Sequence, residues 1–165
     1  MIVLKIKSEK LALQKLLNCW YDRVSEHLLN RPNYFKDQLQ HLSIIRKDIY
    51  EDINQLQHKG LIIEVAEKLQ NEFPQINKWT WHPMQTSHDD FADLTGYVGN
   101  KVFLNAEVTT SLAPVGTIAI RMKNTLLSLN KKQGKLFYFV QTEKMLKRAE
   151  TKIKNKKHNI VPRQV

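Results

Sequence analysis

Two short β-like runs, Phe91–Val98 and Val102–Thr109, are joined by Gly99-Asn100. That dipeptide is a strong hairpin signal, because tight two-residue turns favour residues that tolerate positive φ. A hairpin at this point constrains the fold more than any other feature, since it fixes which residues become neighbours. It brings Asp93 of the first run close to Glu107 at the end of the second, with thirteen residues between them. Two carboxylates held side by side repel each other. A fold that accepts that cost often holds a divalent cation between them.

The chain before the hairpin reads as helical. Leu13, Leu16, Leu17, Trp20, Val24 and Leu28 recur at helical spacing and form one apolar stripe. Asn30-Arg31-Pro32-Asn33 breaks it, and a second stripe runs Phe35, Leu39, Leu42, Ile45, Ile49, Ile53 and Leu56, with Gly60 as its terminator. Residues 1–60 are therefore expected as an N-terminal helical hairpin. From residue 61 the pattern mixes. A short helix over Ile62–Phe73 ends at Pro74, and Trp79-Thr80-Trp81 alternates like a strand. After the acidic hairpin, Pro114 suits the first turn of a helix through Leu129, with Val115, Ile118, Met122 and Leu126 on its apolar face. Lys135–Val140 reads as a buried strand, Thr142 as the N-cap of a helix to Lys156, and Ile160-Val161 as a last edge strand. Residues 61–165 thus predict an α/β core, a sheet sandwiched by helices.

Composition excludes several classes. A chain of 165 residues suits one domain, with room for a small appended module. No apolar run approaches the roughly 18 residues of a membrane span. The opening Met1–Lys7 is too short for the apolar region of a signal peptide. The lone Cys19 rules out an internal disulfide or a multi-cysteine zinc site, and its place beside Trp20 suggests buried filler. A cytoplasmic protein is expected. Net charge is +10, unevenly spread: 10 Lys/Arg against 7 Asp/Glu over residues 1–63, 3 against 7 over 64–111, and 13 against 2 over 112–165. An acidic middle beside a basic end suits a metal-binding cleft flanked by a phosphate-binding surface.

The order of helix, three-strand meander, helix, strand and helix, with Asp on the second strand and Glu on the third, resembles the core of the PD-(D/E)xK nuclease superfamily. The resemblance covers residues 61–161. Ala92-Asp93-Leu94-Thr95-Gly96 is similar to the strand bearing the family Asp, and Asn105-Ala106-Glu107-Val108-Thr109 to the strand bearing the family Glu. It implies a restriction-endonuclease-like fold and Mg²⁺ (or Mn²⁺) held by Asp93, Glu107 and the backbone carbonyl of Val108. The family often adds a Glu from the first helix, and Glu64 or Glu67 stands at the matching place. A family Lys, which stabilises developing negative charge, belongs at position 109, where this chain has Thr109. Arg121 is the first candidate for the displaced cation, with Lys101 and Lys123 next.

The basic end supplies a further surface. Lys144, Lys147, Arg148, Lys152 and Lys156 lie on one helix, and the first four recur at spacings of three and four opposite the Met145/Leu146/Ala149/Ile153 stripe. Lys131, Lys132 and Lys135 extend it. Trp79 and Trp81 share one face of their strand and read as core. His82, His88, Asp89 and Asp90 occupy one polar loop and read as exposed, although Asp89 or Asp90 could add a metal ligand. The expected function is a metal-dependent DNA endonuclease of restriction or repair type, acting on duplex DNA as a homodimer without a membrane. The alternatives are a catalytically inactive nuclease-fold protein that binds nucleic acid or a partner, and a helical interaction module whose α/β part has no active site.

Overall fold

A computed structural model describes residues 2–83 and 91–165. Among the described residues, four helices and six strands form a mixed α/β fold. In chain order they are β1 (Ile2–Val3), α1 (Ile6–Leu29), α2 (Phe35–Glu72), β2 (Lys78–Trp81), β3 (Leu94–Val98), β4 (Lys101–Val108), α3 (Thr117–Leu129), β5 (Lys135–Val140), α4 (Glu143–Lys156) and β6 (Val161–Gln164). The strands stand in sequence order across one open sheet. β1 to β4 are antiparallel neighbours, whereas β5 runs parallel to β4 and β6 parallel to β5. The change of direction follows from the connections. A tight turn joins β3 to β4, while α3 and α4 each carry the chain back before the next strand begins.

Side-chain alternation divides the sheet into two faces. Leu104, Ala106, Val108, Phe137 and Phe139 join Trp79, Trp81 and the α2 residues Ile62, Val65 and Leu69 in one core. Leu136, Tyr138 and Val140 turn to the other face, where Met122 and Leu126 of α3 and Met145 and Ala149 of α4 meet them. The sheet is therefore sandwiched, with the helical hairpin on one side and α3 and α4 on the other. Trp79 and Trp81 are core residues, as their alternation predicts.

α2 does not stop at Gly60. It runs unbroken for 38 residues, about 57 Å at 1.5 Å per residue, and crosses the expected boundary between the hairpin and the α/β part. A glycine inside a helix costs about 1 kcal/mol relative to alanine, less than the apolar packing on both sides of it contributes. Gly60 lies under α1, where an added Cβ would come 3.6 Å from Leu13 Cδ2. The helix ends at Phe73, the residue before Pro74, which proline biases away from helical backbone.

Only the C-terminal part of α2 and the start of α1 pack on the sheet. Leu13 is buried, and Leu17, Trp20 and Val24 are half-buried against α2, but Leu16 and Leu28 of the same expected stripe are exposed. So are Phe35, Leu39 and Leu42 of the second stripe, at 75%, 51% and 60%. Cys19 is exposed too, not buried filler, because this stretch of α1 has α2 alone to pack against. α3 begins at Thr117 after Gly116, whose φ of +52° turns the chain into the helix, so Val115 stays outside the apolar face and is exposed. Among the described residues no helix is long and apolar enough to cross a membrane.

Candidate functional site

The register of the β3–β4 hairpin builds the site. Leu94 pairs with Ala106, and Thr95 with Asn105. Leu94 and Ala106 enter the core against α2, while Thr95 and Asn105 point the other way. There the Thr95 hydroxyl donates to Asn105 Oδ1 at 2.8 Å, and Asn105 Nδ2 donates to the Gln133 carbonyl at 2.8 Å, so both buried polar groups are satisfied. Continued one step past its last pair, Leu94 with Ala106, the register would set Asp93 opposite Glu107. Asp93 lies just before β3 and not within it. Its carbonyl accepts the His82 N–H at 2.9 Å, and its Oδ2 accepts the Val108 N–H at 2.8 Å. The acid thus ties the start of one strand to the end of the next.

β5 extends this row. Glu107 is the register partner of Tyr138, whose side chain is buried between β4 and α4. Burial pushes the Tyr138 phenol well above its ordinary range, the negative charge of Glu107 pushes the same way, and Asp93 adds to it, while a hydrogen bond with Thr109 opposes them. Tyr138 is therefore within electrostatic reach of both acids and holds its proton. Thr109, where the resemblance to the nuclease superfamily would place a Lys, is fully engaged. Its N–H donates to the Phe139 carbonyl at 3.0 Å, and its hydroxyl oxygen accepts the Ser111 N–H at 3.2 Å and bonds Tyr138.

The helix that faces the site contributes a histidine, not an acid. His58 of α2 is 2% exposed, with Nε2 standing 3.3 Å from Asp93 Oδ2 and a buried Nδ1 that has no hydrogen-bond partner. The sequence reading missed it. The available signal was its spacing: His58, Ile62, Val65 and Leu69 form one helical stripe, and His58 is the polar member of it. Glu64 and Glu67 lie elsewhere. Glu64 is exposed beside Lys68 at 3.7 Å, and Glu67 pairs with Lys10 of α1 at 2.7 Å.

The candidate cations are dispersed. Arg121 is exposed on α3. Lys101 begins β4, six residues before Glu107 and about 20 Å away along the strand. Lys123 belongs to a groove of about 170 Å³ between α3 and α4, lined also by Leu126, Leu127, Lys152, Asn155, Lys156 and His158. Thr142 caps α4 as expected, accepting the Met145 N–H at 3.3 Å. Along α4 the basic residues divide. Lys147 pairs with Glu143 at 2.7 Å, whereas Lys152 lies near both Arg148 and Lys123. Partial burial, then the charges of Arg148 and Lys123, hold the Lys152 ammonium below its ordinary range. Lys144 is exposed. Lys135 departs from that surface and stands over the rings of Phe73 and Phe103, at 4.8 and 5.5 Å from their centroids.

Asp93 and Glu107 are hard oxygen donors of the kind that magnesium takes, and such a site needs few protein ligands because the ion keeps several waters. Asp93 keeps one carboxylate oxygen that neither Val108 nor His58 uses. Among the described residues no three His, Cys, Asp or Glu side chains gather into a metal-binding group. His88, Asp89 and Asp90 lie outside the described residues. Compared with protein-family models, curated proteins and solved structures, the chain finds no match.

Proposed function

We propose that this protein is a metal-dependent endonuclease of PD-(D/E)xK type that hydrolyses phosphodiester bonds in DNA. The observation that carries the reading is the β3–β4 register, which, continued one step past Leu94 and Ala106, would set Asp93, just before β3, against Glu107 of β4, in a sheet whose neighbour β5 follows in parallel across α3. The succession α2–β2–β3–β4–α3–β5 is the order that the family resemblance implies, which supports a restriction-endonuclease-like arrangement. Asp93, Glu107 and the Val108 carbonyl would hold Mg²⁺ or Mn²⁺, and the ion would supply Lewis-acid polarisation of the phosphate and a more acidic bound water. The chain's own part is positional. Val108 N–H and His58 orient Asp93, and Tyr138 confines the Glu107 side of the site. Arg121 is the cation assigned to charge stabilisation, as a permanent charge with two donors and little basicity. A homodimer suits cleavage of two strands, and the exposed Phe35, Leu39 and Leu42 offer an apolar face for it.

One observation favours a second reading. The Thr109 hydroxyl is committed to Ser111 and Tyr138 and carries no charge, so the strand itself supplies no cation. In that reading the fold binds DNA without cutting it. Incubation of supercoiled and linear duplex DNA with Mg²⁺ or Mn²⁺ separates the two. Cleavage by the wild type that EDTA and Glu107→Gln both abolish is expected, with Arg121→Ala lowering turnover by about two to three orders of magnitude. DNA binding with no cleavage under either metal would replace the enzyme with the binding protein.

A further inference from the structure

The cations of this fold are treated in two ways. Most of those that face an acid are matched on the surface: Lys10 with Glu67, Arg23 with Asp52, Lys68 with Glu64, Lys147 with Glu143, and Arg163 with Glu72. At the α3–α4 groove the pattern reverses. Lys123 from α3 and Lys152 and Lys156 from α4 line one concavity, with Arg148 one turn before Lys152. Among the described residues none of these four has an acidic partner within 4.0 Å. They do not meet by accident of one helix's composition. Met122 and Leu126 of α3 pack in the same core as Met145 and Ala149 of α4, and that packing draws Lys123 towards the α4 row. Like charges brought together without counter-charges destabilise the free protein, and a bound polyanion removes that cost.

We propose that the α3–α4 groove is where the phosphodiester backbone of duplex DNA docks, with Lys123, Arg148, Lys152 and Lys156 as its cations. Three features select this ligand. Arg148, Lys152 and Lys156 recur every four residues, so the row advances about 6 Å per step and spans about 12 Å. At 3.4 Å of rise per phosphate along one strand, that length faces about three successive phosphates, which an isolated anion could not fill. The groove, about 170 Å³ and lined by lysines of both helices, admits a phosphate edge. Its floor of Leu126 and Leu127 excludes part of the water that would otherwise screen the charges, and partial burial of Lys152 shows the same effect. Asn155 and His158 add further polar groups to the lining. The surface also moves the contact away from Lys147, whose charge Glu143 already offsets.

The proposal rests on the reading of this protein as one that acts on DNA, yet it is tested apart from cleavage. Binding of a fluorescent 20-base-pair duplex is followed by anisotropy in EDTA, on the Glu107→Gln background, between 50 and 300 mM KCl. Each phosphate neutralised contributes about −0.9 to the slope of log K against log salt. Lys123→Gln with Lys152→Gln should remove about 1.8 from the slope and weaken binding at least tenfold at low salt, while Lys152→Arg keeps both. The far-surface variant Lys10→Gln with Lys68→Gln should retain the wild-type slope, and circular dichroism shows whether each variant folds. An unchanged slope in the folded groove variant overturns the proposal, as does an equal or larger loss in Lys144→Gln with Lys147→Gln. Tighter binding to vesicles of anionic phospholipid than to the duplex would assign the groove to a membrane surface and likewise overturn it. A protein that cuts nothing but shows the groove-dependent slope would fail the enzyme reading and keep this one.

Discussion

Replacing Asp93 should harm the fold before it informs on chemistry. Asp93→Ala removes the acceptor of the Val108 N–H at 2.8 Å and the carboxylate that stands 3.3 Å from His58 Nε2. His58 is 2% exposed and its Nδ1 already lacks a partner, so it gains nothing elsewhere. Leaving a buried donor unpaired costs about 1–3 kcal/mol. The Val108 N–H falls at the low end of that range, because the Asp93 side chain is 17% exposed and water can follow it. The two losses together give about 2–4 kcal/mol. Asp93→Asn keeps an oxygen of the same size in the same place and should cost about 1 kcal/mol, while removing the charge that a divalent ion requires. Urea unfolding at pH 7 measures both. With a slope of about 2 kcal/mol per molar, typical of small proteins, Asp93→Ala should lower the midpoint by about 1–2 M and Asp93→Asn by about 0.5 M. Calorimetry with Mn²⁺ should show binding to the wild type and none to Asp93→Asn. An Asp93→Ala midpoint within 0.2 M of wild type would refute the argument that Asp93 joins α2, β3 and β4. Full Mn²⁺ affinity in Asp93→Asn would refute its role as a ligand.

Two further effects depend on pH. Tyr138, held above its ordinary pKa of 10.0 by burial first and Glu107 second, contributes stability that is full below about pH 10 and is lost as pH rises past it. One of the five tyrosines should therefore stay silent in absorbance at 295 nm at pH 11 until denaturant is added, and Tyr138→Phe should abolish that delayed step. Arg163, through its paired hydrogen bonds, holds Glu72 below the ordinary carboxylate value of 4.5, so this pair's contribution is present above that value and lost as pH falls below it. Both side chains are more than a third exposed, so Glu72→Gln should flatten the acid limb of the stability profile by only about 0.5 kcal/mol in urea melts between pH 6 and 3. A loss above 2 kcal/mol would contradict that degree of screening.

What could be read from the sequence was what local chemistry decides. Gly99-Asn100 fixes a turn, but the turn and the two-residue period of the strands alone would carry Asp93 opposite Ala106; the register shift between Gly96 and Tyr97, which no local signal announced, moves the pairing by one residue towards Glu107. Likewise, a helix between two apolar strands implies a parallel step, which β4 and β5 make. What local chemistry does not decide was misread. Gly60 is a terminator by its own propensity, but α2 is held on both sides of it by packing with Leu13 and the sheet. Phe35, Leu39 and Leu42 have the spacing of a packed stripe, yet among the described residues no element buries them. The apolar face of α3 starts three residues late because the Gly116 turn intervenes. His58 was hidden for a different reason. A histidine in a stripe of Ile, Val and Leu has the same period as its neighbours, and only the tertiary position of Asp93 gives it a partner.

The neutral residue at position 109 and the basic groove are consequences of one division of charge. At the ends of β4 and β5 the buried phenol of Tyr138 closes against Thr109, and Glu107 lies beside them. A lysine at 109 would have to desolvate its ammonium among these packed groups or push Tyr138 out of the α3–α4 core, and either is costly. Threonine supplies a hydroxyl that satisfies the phenol without bringing a charge into the layer. Under the nuclease reading proposed above, the cation absent from position 109 would then come from α3 and α4. The acidic strand ends and the basic helical surface are both held by the core in which Met122, Leu126, Tyr138, Met145 and Ala149 meet. A change that loosens that core would therefore disturb the carboxylates and the groove together, although more than ten residues of chain separate Glu107 from Lys123 and more again from Lys152.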